Sequence, residues 1–288
     1  MHGVIIVDKP AGVSSAQAVE RVRRTLRIQR AGHGGTLDPI ATGVLPICVG
    51  AGTKLAQFLL ADDKAYLATG VLGVETDTLD RAGTIVATRE VAVTRDAMLA
   101  AIAARTGPQE QVPPMYSAIK QGGVRLYDRA RAGEQVERAP RAIRIDRLEL
   151  VMFEPPRFQI AIDCSKGTYV RSLVADLGTD LGCGAHLAEL RRTRTGRLTL
   201  EDAVPLDRVA EAKLIPPHAV TDLPSVPVAA DLVQKIFDGL QLPPATFGAE
   251  GHARFQLVTE AGYLLAIAHP EGEKTVYDRV FPELHRSA

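Results

Sequence analysis

The residue of this sequence best placed for chemistry is the aspartate in Gly32-His33-Gly34-Gly35-Thr36-Leu37-Asp38-Pro39. Glycines allow close backbone approach, and Pro39 biases the residue before it towards an extended conformation. The Asp38 carboxylate is therefore expected on a stiff loop that leads into an apolar stretch at 44–49. A carboxylate in such a seat can attack an electrophilic carbon or take a proton. An Asp-Pro pair is also a common turn, whose side chain only accepts backbone N–H groups. The local residues leave both readings open.

Other chemistries find less support. Glycines cluster around Asp38 and again at Gly50-Ala51-Gly52-Thr53-Lys54, but neither stretch has the spacing of a phosphate-binding loop, and no GxGxxG follows a strand. Cys48, Cys164 and Cys183 are odd in number, far apart and without histidines at ligand spacing. Buried apolar thiols are expected, with no disulfide and no metal.

The elements that must position Asp38 alternate strand and helix without internal repeat. Gly3-Val4-Ile5-Ile6-Val7 reads as a buried strand, and residues 14–26 as an amphipathic helix with Ser14 and Gln17 in a capping box. Arg21, Arg23, Arg24, Arg27 and Arg30 cover that helix's outer surface, either as a solvated face or as contacts to a nucleic-acid backbone. An extended segment at 66–74 follows, then a helix capped by Thr94 and running to 104. Residues 106–147 are rich in Pro, Gly and Arg, with a short helical pattern at 126–131, and read as an exposed, mobile basic insertion. Strands at 142–153 and 158–164 and a helix at about 169–181 complete the larger part. Prolines 216, 217, 224 and 227 mark a linker. The chain thus divides into 1–225 and a small part, 226–288, with short strands at 255–258 and 263–268 and a helix near 229–238.

The overall charge of zero conceals an asymmetry. Residues 1–200 carry 27 Lys and Arg against 21 Asp and Glu, and residues 201–288 carry 7 against 13. The larger part can attract a polyanion. No apolar run approaches the roughly 20 residues of a membrane span, and the N-terminus lacks the pattern of an export signal. A cytoplasmic location is expected.

Several blocks carry a family resemblance. Residues 32–54, from Gly32-His33-Gly34-Gly35 through Leu37-Asp38-Pro39 to Lys54, look like the signature of TruB-type pseudouridine synthases. Asp8-Lys9-Pro10 resembles the family's N-terminal element, and Lys64-Ala65-Tyr66 with Asp77 its tyrosine-bearing strand and acidic turn. Pro113-Pro114-Met115-Tyr116-Ser117-Ala118-Ile119-Lys120, with Gly123, Leu126, Tyr127, Ala130 and Arg131, matches a further block. So do Lys166-Gly167-Thr168-Tyr169-Val170-Arg171 and Leu190-Arg191-Arg192-Thr193. Together they cover most of residues 3–210 in family order.

The resemblance implies an α+β pseudouridine synthase fold with a central mixed, largely antiparallel sheet, plus a small β-rich PUA-like C-terminal domain. It implies isomerisation of uridine 55 in the T-loop of tRNA, with Asp38 as the essential carboxylate, Arg171 as its orienting cation and Tyr66 stacking on the base and helping to remove the C5 proton. His33 would fill the space left by the flipped base, and Tyr169 and Leu190 would shape the pocket floor. Lys9 would contact RNA or support the active-site loop. No cofactor is implied, and a monomer acting on tRNA without an obligate protein partner is expected. Gly34 stands where threonine or alanine is commoner in the family, which implies a looser loop. The acidic C-terminal part departs from what RNA contact favours. Alternatives are a guide-RNA-dependent synthase of the H/ACA type, a tRNA-folding chaperone with incidental catalysis, and a nucleosidase releasing free uracil.

Overall fold

The computed structural model describes residues 1–116, 120–121, 124–125 and 136–285. The strands are β1 (Gly3–Lys9), β2 (Ala31–His33), β3 (Ala41–Val49), β4 (Lys64–Leu72), β5 (Val74–Thr76), β6 (Ile85–Thr88), β7 (Gly107–Gln111), β8 (Lys120–Gln121), β9 (Val124–Arg125), β10 (Arg141–Glu154), β11 (Arg157–Cys164), β12 (Ala185–Thr195), β13 (Leu198–Thr199), β14 (Ala203–Pro205), β15 (Ser225–Pro227), β16 (Phe255–Val258), β17 (Leu264–Glu271) and β18 (Lys274–Val280). The helices are α1 (Ser15–Thr25), α2 (Ala56–Ala61), α3 (Arg95–Ala104), α4 (Val170–Asp180), α5 (Ala230–Phe237) and α6 (Pro282–His285). Contacts group the chain into two compact units, the first made of Met1–Asp38, Val44–Ala61 and Gly196–Ala288, the second of Pro39–Gly43 and Asp62–Thr195. Among the described residues no helix is long and apolar enough to cross a membrane.

In the first unit β1 lies between β14 and β3, and β2 pairs antiparallel with β3. Val4, Ile5, Ile6 and Val7 are all buried, as a strand covered on both faces requires. The capping box of α1 forms as expected between Ser14 and Gln17. Its apolar stripe buries Ala18 and Val22 and leaves the five arginines exposed, Arg23 and Arg24 paired with Glu20. One core joins Val4, Ile6, Val44, Cys48, Leu55 and Leu59 to Val258, Leu264, Ile267 and Phe281. A second core gathers Val226, Ile236, Phe247, Phe255, Leu257 and Leu265. The sheet β15-β16-β17-β18 is thus apolar on both faces. Its first strand corrects the reading of residues 216–227 as linker: Ser225–Pro227 pairs parallel with Gln256–Val258, an edge position where proline is tolerated.

The second unit carries the strand order β3-β12-β4-β11-β10-β7, with β3 and β12 parallel and the other pairs antiparallel. The sheet is mixed and largely antiparallel, as expected. Along β11 the period of two buries Phe158, Ile160, Ile162 and Cys164. Thr94 caps α3 by accepting from the Ala97 N–H at 3.2 Å. Helix α4 packs through Val170, Leu173, Val174 and Leu177.

The 106–147 region departs from expectation at its N-terminal end. Gly107–Gln111 is an edge strand paired with Arg141–Ile145. Its sequence, Gly-Pro-Gln-Glu-Gln, has no β-branched or aromatic residue to mark it, so the backbone pairing alone makes the strand. The helical pattern at 126–131 lies outside the described residues, as do Ser117 to Ile119 and Gly123 of the same block.

All three cysteines are free and buried. Burial pushes the Cys48 thiol up to about 12 and the Cys164 thiol up to about 11.

Candidate active site

The loop before Asp38 is tied down from both sides by one hydroxyl. Ser15 Oγ donates to the Leu37 carbonyl at 3.0 Å and accepts from the Leu37 N–H at 2.8 Å. Ser15 and Leu37 are both buried, so each bond replaces hydration that the folded chain denies. The half-buried Asp38 then follows directly from a fixed peptide, and Pro39 stiffens its other side. Upstream, His33 sits opposite Ile47 on β3, and the Gly34 N–H donates to the Pro46 carbonyl at 2.8 Å.

Gly34 does not loosen this loop. A Cβ there would stand 2.6 Å from Leu59 Cδ1, so the space an alanine or threonine would fill is already occupied by leucine. Lys9 is fully buried, and its ammonium donates to the Pro10 and Val13 carbonyls at 2.9 and 2.6 Å. These bonds tie Lys9 to the turn that follows β1.

In the second unit Tyr66 lies on the central strand β4, between Ile162 on β11 and Arg192 on β12. Leu190, on the same β12, pairs with Ala41 on β3 and Ala68 on β4. Arg192 is 1% exposed, and its guanidinium is hydrogen-bonded to Tyr66. Burial pushes the Arg192 pKa down while Tyr66 acts in the opposite sense. Lys64, on the face of β4 that Tyr66 shares, is pushed down to about 8, mainly by burial and then by repulsion from Arg192.

Helix α4 begins at the remaining expected residues. Tyr169 is its N-cap, and a single side chain holds the peptide groups of that residue. Gln111 Oε1 accepts from the Tyr169 N–H at 2.8 Å, and Gln111 Nε2 donates to the Tyr169 carbonyl at 3.1 Å. Arg171 is 5% exposed. Its guanidinium donates to the Thr78 and Tyr116 carbonyls at 3.1 and 2.8 Å and lies 3.7 Å from the buried Asp80 carboxylate. Asp80 is itself held by the Thr78 hydroxyl at 2.7 Å and the Ala82 N–H at 2.9 Å. A planar guanidinium with three such partners has its direction set before any substrate arrives.

Lys9, His33 and Asp38 thus belong to the first unit, and Tyr66, Tyr169, Arg171 and Leu190 to the second. Sequence reasoning missed Ser15, Asp80, Gln111 and the particular weight of Arg192. In the acidic turn that Asp77 marks, the Asp80 carboxylate lies 3.7 Å from Arg171. Asp77 accepts the Thr84 N–H at 2.8 Å.

Known proteins match this architecture. The structure overlays on a chain of a Cbf5-Nop10-Gar1 complex with a TM-score of 0.75 at 26% identity, covering 96% of this chain and 84% of that one. A protein of Aromatoleum aromaticum, tRNA pseudouridine synthase B, is 54% identical over 206 residues, 72% of this chain and 67% of that one. The protein of the same name in Ralstonia nicotianae is 42% identical over 293 residues, 94% of this chain and 93% of its own. Fold and aligned blocks are those of the pseudouridylate synthases, which are isomerases. The family model for the N-terminal domain of TruB family pseudouridylate synthases covers residues 23–170, that for the C-terminal domain of tRNA pseudouridylate synthase B covers 171–222, and the chain belongs to the TruB family.

Proposed function

We propose that this chain isomerises uridine to pseudouridine at position 55 in the T-loop of tRNA, with Asp38 as its essential carboxylate. The observation that carries the reading is identity of 42% along nearly the whole length to a protein named tRNA pseudouridine synthase B. The bond from N1 to the sugar breaks, the uracil turns and the bond re-forms through C5. No net oxidation occurs, so the chemistry demands no redox partner.

The target nucleotide must leave its stack, at a cost of roughly a few kcal/mol. His33 fills the vacated place. An ionised Asp38 attacks C1′ or removes the 2′ proton. Arg171, aimed by the Thr78 and Tyr116 carbonyls and Asp80, favours the ionised carboxylate. Tyr66 stacks on the base and accepts the C5 proton, Leu190 and Tyr169 bound the base, and Lys9 holds the loop after β1. The exposed arginines of α1 contact the RNA backbone.

The solved Cbf5 structure is a complex with further proteins, which favours a guide-dependent reading. Its 26% identity is well below the 54% and 42% of the relatives named for tRNA. Action without partners in the cytoplasm is the better supported reading. Incubating the purified chain with an unmodified tRNA transcript tests it. One pseudouridine at position 55 and none in a transcript with cytidine there is the expected outcome. Conversion that requires guide RNA and added proteins, or that falls elsewhere, would overturn it.

A further inference from the structure

We propose that Arg192 is a positioning residue for the last proton transfer: its guanidinium donates to the Tyr66 oxygen and holds that oxygen ready to accept the C5 proton. The inference rests on the reading of Tyr66 given above. Arg192 stands directly opposite Tyr66 in the β12–β4 register and is hydrogen-bonded to it. On its other side it pairs with Gly43 of β3, where φ is 98° and a Cβ would lie 2.2 Å from the Arg192 carbonyl oxygen. Glycine at 43 is what allows three strands to close around this arginine.

A guanidinium has donors and no acceptor. In any hydrogen bond between the two side chains the phenol oxygen must therefore accept, with its own proton turned away or lost. A charge-assisted bond of this kind is stronger to phenolate than to phenol, so it favours ionisation of a group whose ordinary value is about 10. The surroundings point the same way. Lys64 adds a second buried cation on the same face of β4, held by the Asp62 carbonyl. On the neighbouring strand β11 the residue facing Tyr66 is the apolar Ile162, and the Asp163 carboxylate is bonded to Arg147 and Arg194. Asp63 is paired with Arg144, and Cys164, opposite Lys64, is a protonated thiol at neutral pH. Burying an arginine is costly unless it is bonded, and a hydrophobic residue would fill this strand position more cheaply. Tyr66 is one of the groups that offset that cost.

The step balances. After the sugar is rejoined through C5, that carbon carries both the sugar and a hydrogen. Loss of the proton turns the C5–H electron pair into the C5=C6 bond, the C6=N1 π pair moves to N1, and N1 takes a proton from water. Tyr66 receives the C5 proton and passes it to solvent.

The test uses the full chain with Arg192→Met and Arg192→Lys, and C5-tritiated tRNA transcript. Tyr66 is titrated as the difference in tyrosinate absorbance between each protein and its Tyr66→Phe counterpart. In Arg192→Met the Tyr66 titration should move up by about one unit, and the alkaline rise in tritium release should move with it, with a loss of about 10-fold at pH 7. Arg192→Lys should fall between. An unchanged titration in folded Arg192→Met, or a loss of activity equal at every pH, would overturn the proposal. Should Arg192→Met fail to fold, 3-fluorotyrosine incorporated into Arg192→Lys decides: the more acidic phenol should restore tritium release, and absence of rescue counts against the role. Wild-type tritium release from Tyr66→Phe itself would instead sink the reading of Tyr66, while the titration still reports on the bond.

Discussion

Ser15 shows how one small side chain fixes the peptide that leads into Asp38, the carboxylate proposed to react. Its hydroxyl satisfies both peptide groups of Leu37, immediately before Asp38. Ser15→Ala leaves a buried N–H and a buried C=O without that partner, at a cost of about 1–3 kcal/mol. The loss should appear as a lower urea midpoint together with a fall in kcat larger than any rise in KM. An unchanged kcat would separate the loop anchor from the chemistry. The family block around Asp38 was legible in sequence because it stands in one continuous stretch. Ser15, Gln111 and Asp80 were not, since their meaning lies in bonds spanning 22, 58 and 91 residues, which no local spacing encodes. The turn was legible through Asp77, but only the fold shows that Asp80, three residues on, lies at Arg171.

At the level of elements, local physics made most of the strands and helices readable. The capping box of α1, the Thr94 cap of α3 and the alternation along β11 are patterns of short range. Strand β7 escaped because its residues have no strand preference and its pairing partners lie 30 to 38 residues away. Gly34 escaped because its reason is Leu59. Gly34→Ala should cost about 1–3 kcal/mol by overpacking. Leu59→Ala alone should cost about 2–5 kcal/mol by leaving a cavity. The double variant should cost less than the two together, because the new methyl occupies space the leucine vacates. Denaturant titration of the four proteins checks this, and simple additivity would mean that the glycine is there for another reason.

For the whole molecule, the division at about 225 is proposed as the point where the catalytic part of the chain ends, with 226–288 as the small PUA-like domain. The first unit's core nevertheless joins Val4, Ile6 and Val44 to Val258, Ile267 and Phe281. Deleting 226–288 should therefore abolish cooperative unfolding of what remains, as read by circular dichroism. A sharp melt in the truncated chain would show that the N-terminal strands do not need that cover. Stability should also depend on pH with opposite signs from two sources. The Cys48 and Cys164 thiols, raised from an ordinary 9.0, contribute in full below pH 9 and lose that contribution as pH climbs towards about 11 and about 12. Lys64, depressed from 10.5 to about 8, does the reverse, since the unfolded chain binds the extra proton between those values and stability rises there. Between pH 7.5 and 9 the wild-type chain should therefore gain about 1 kcal/mol relative to Lys64→Met, and equal slopes would contradict the burial of that ammonium. The central claim is tested most directly by presenting a T-arm hairpin to the wild-type chain and to Asp38→Asn and following the target uridine by mass and by tritium release. The wild type should yield a product of unchanged mass with its C5 tritium lost, and Asp38→Asn should bind the hairpin as tightly and convert none. Conversion by Asp38→Asn within tenfold of wild type, or free uracil as the product, would contradict the account.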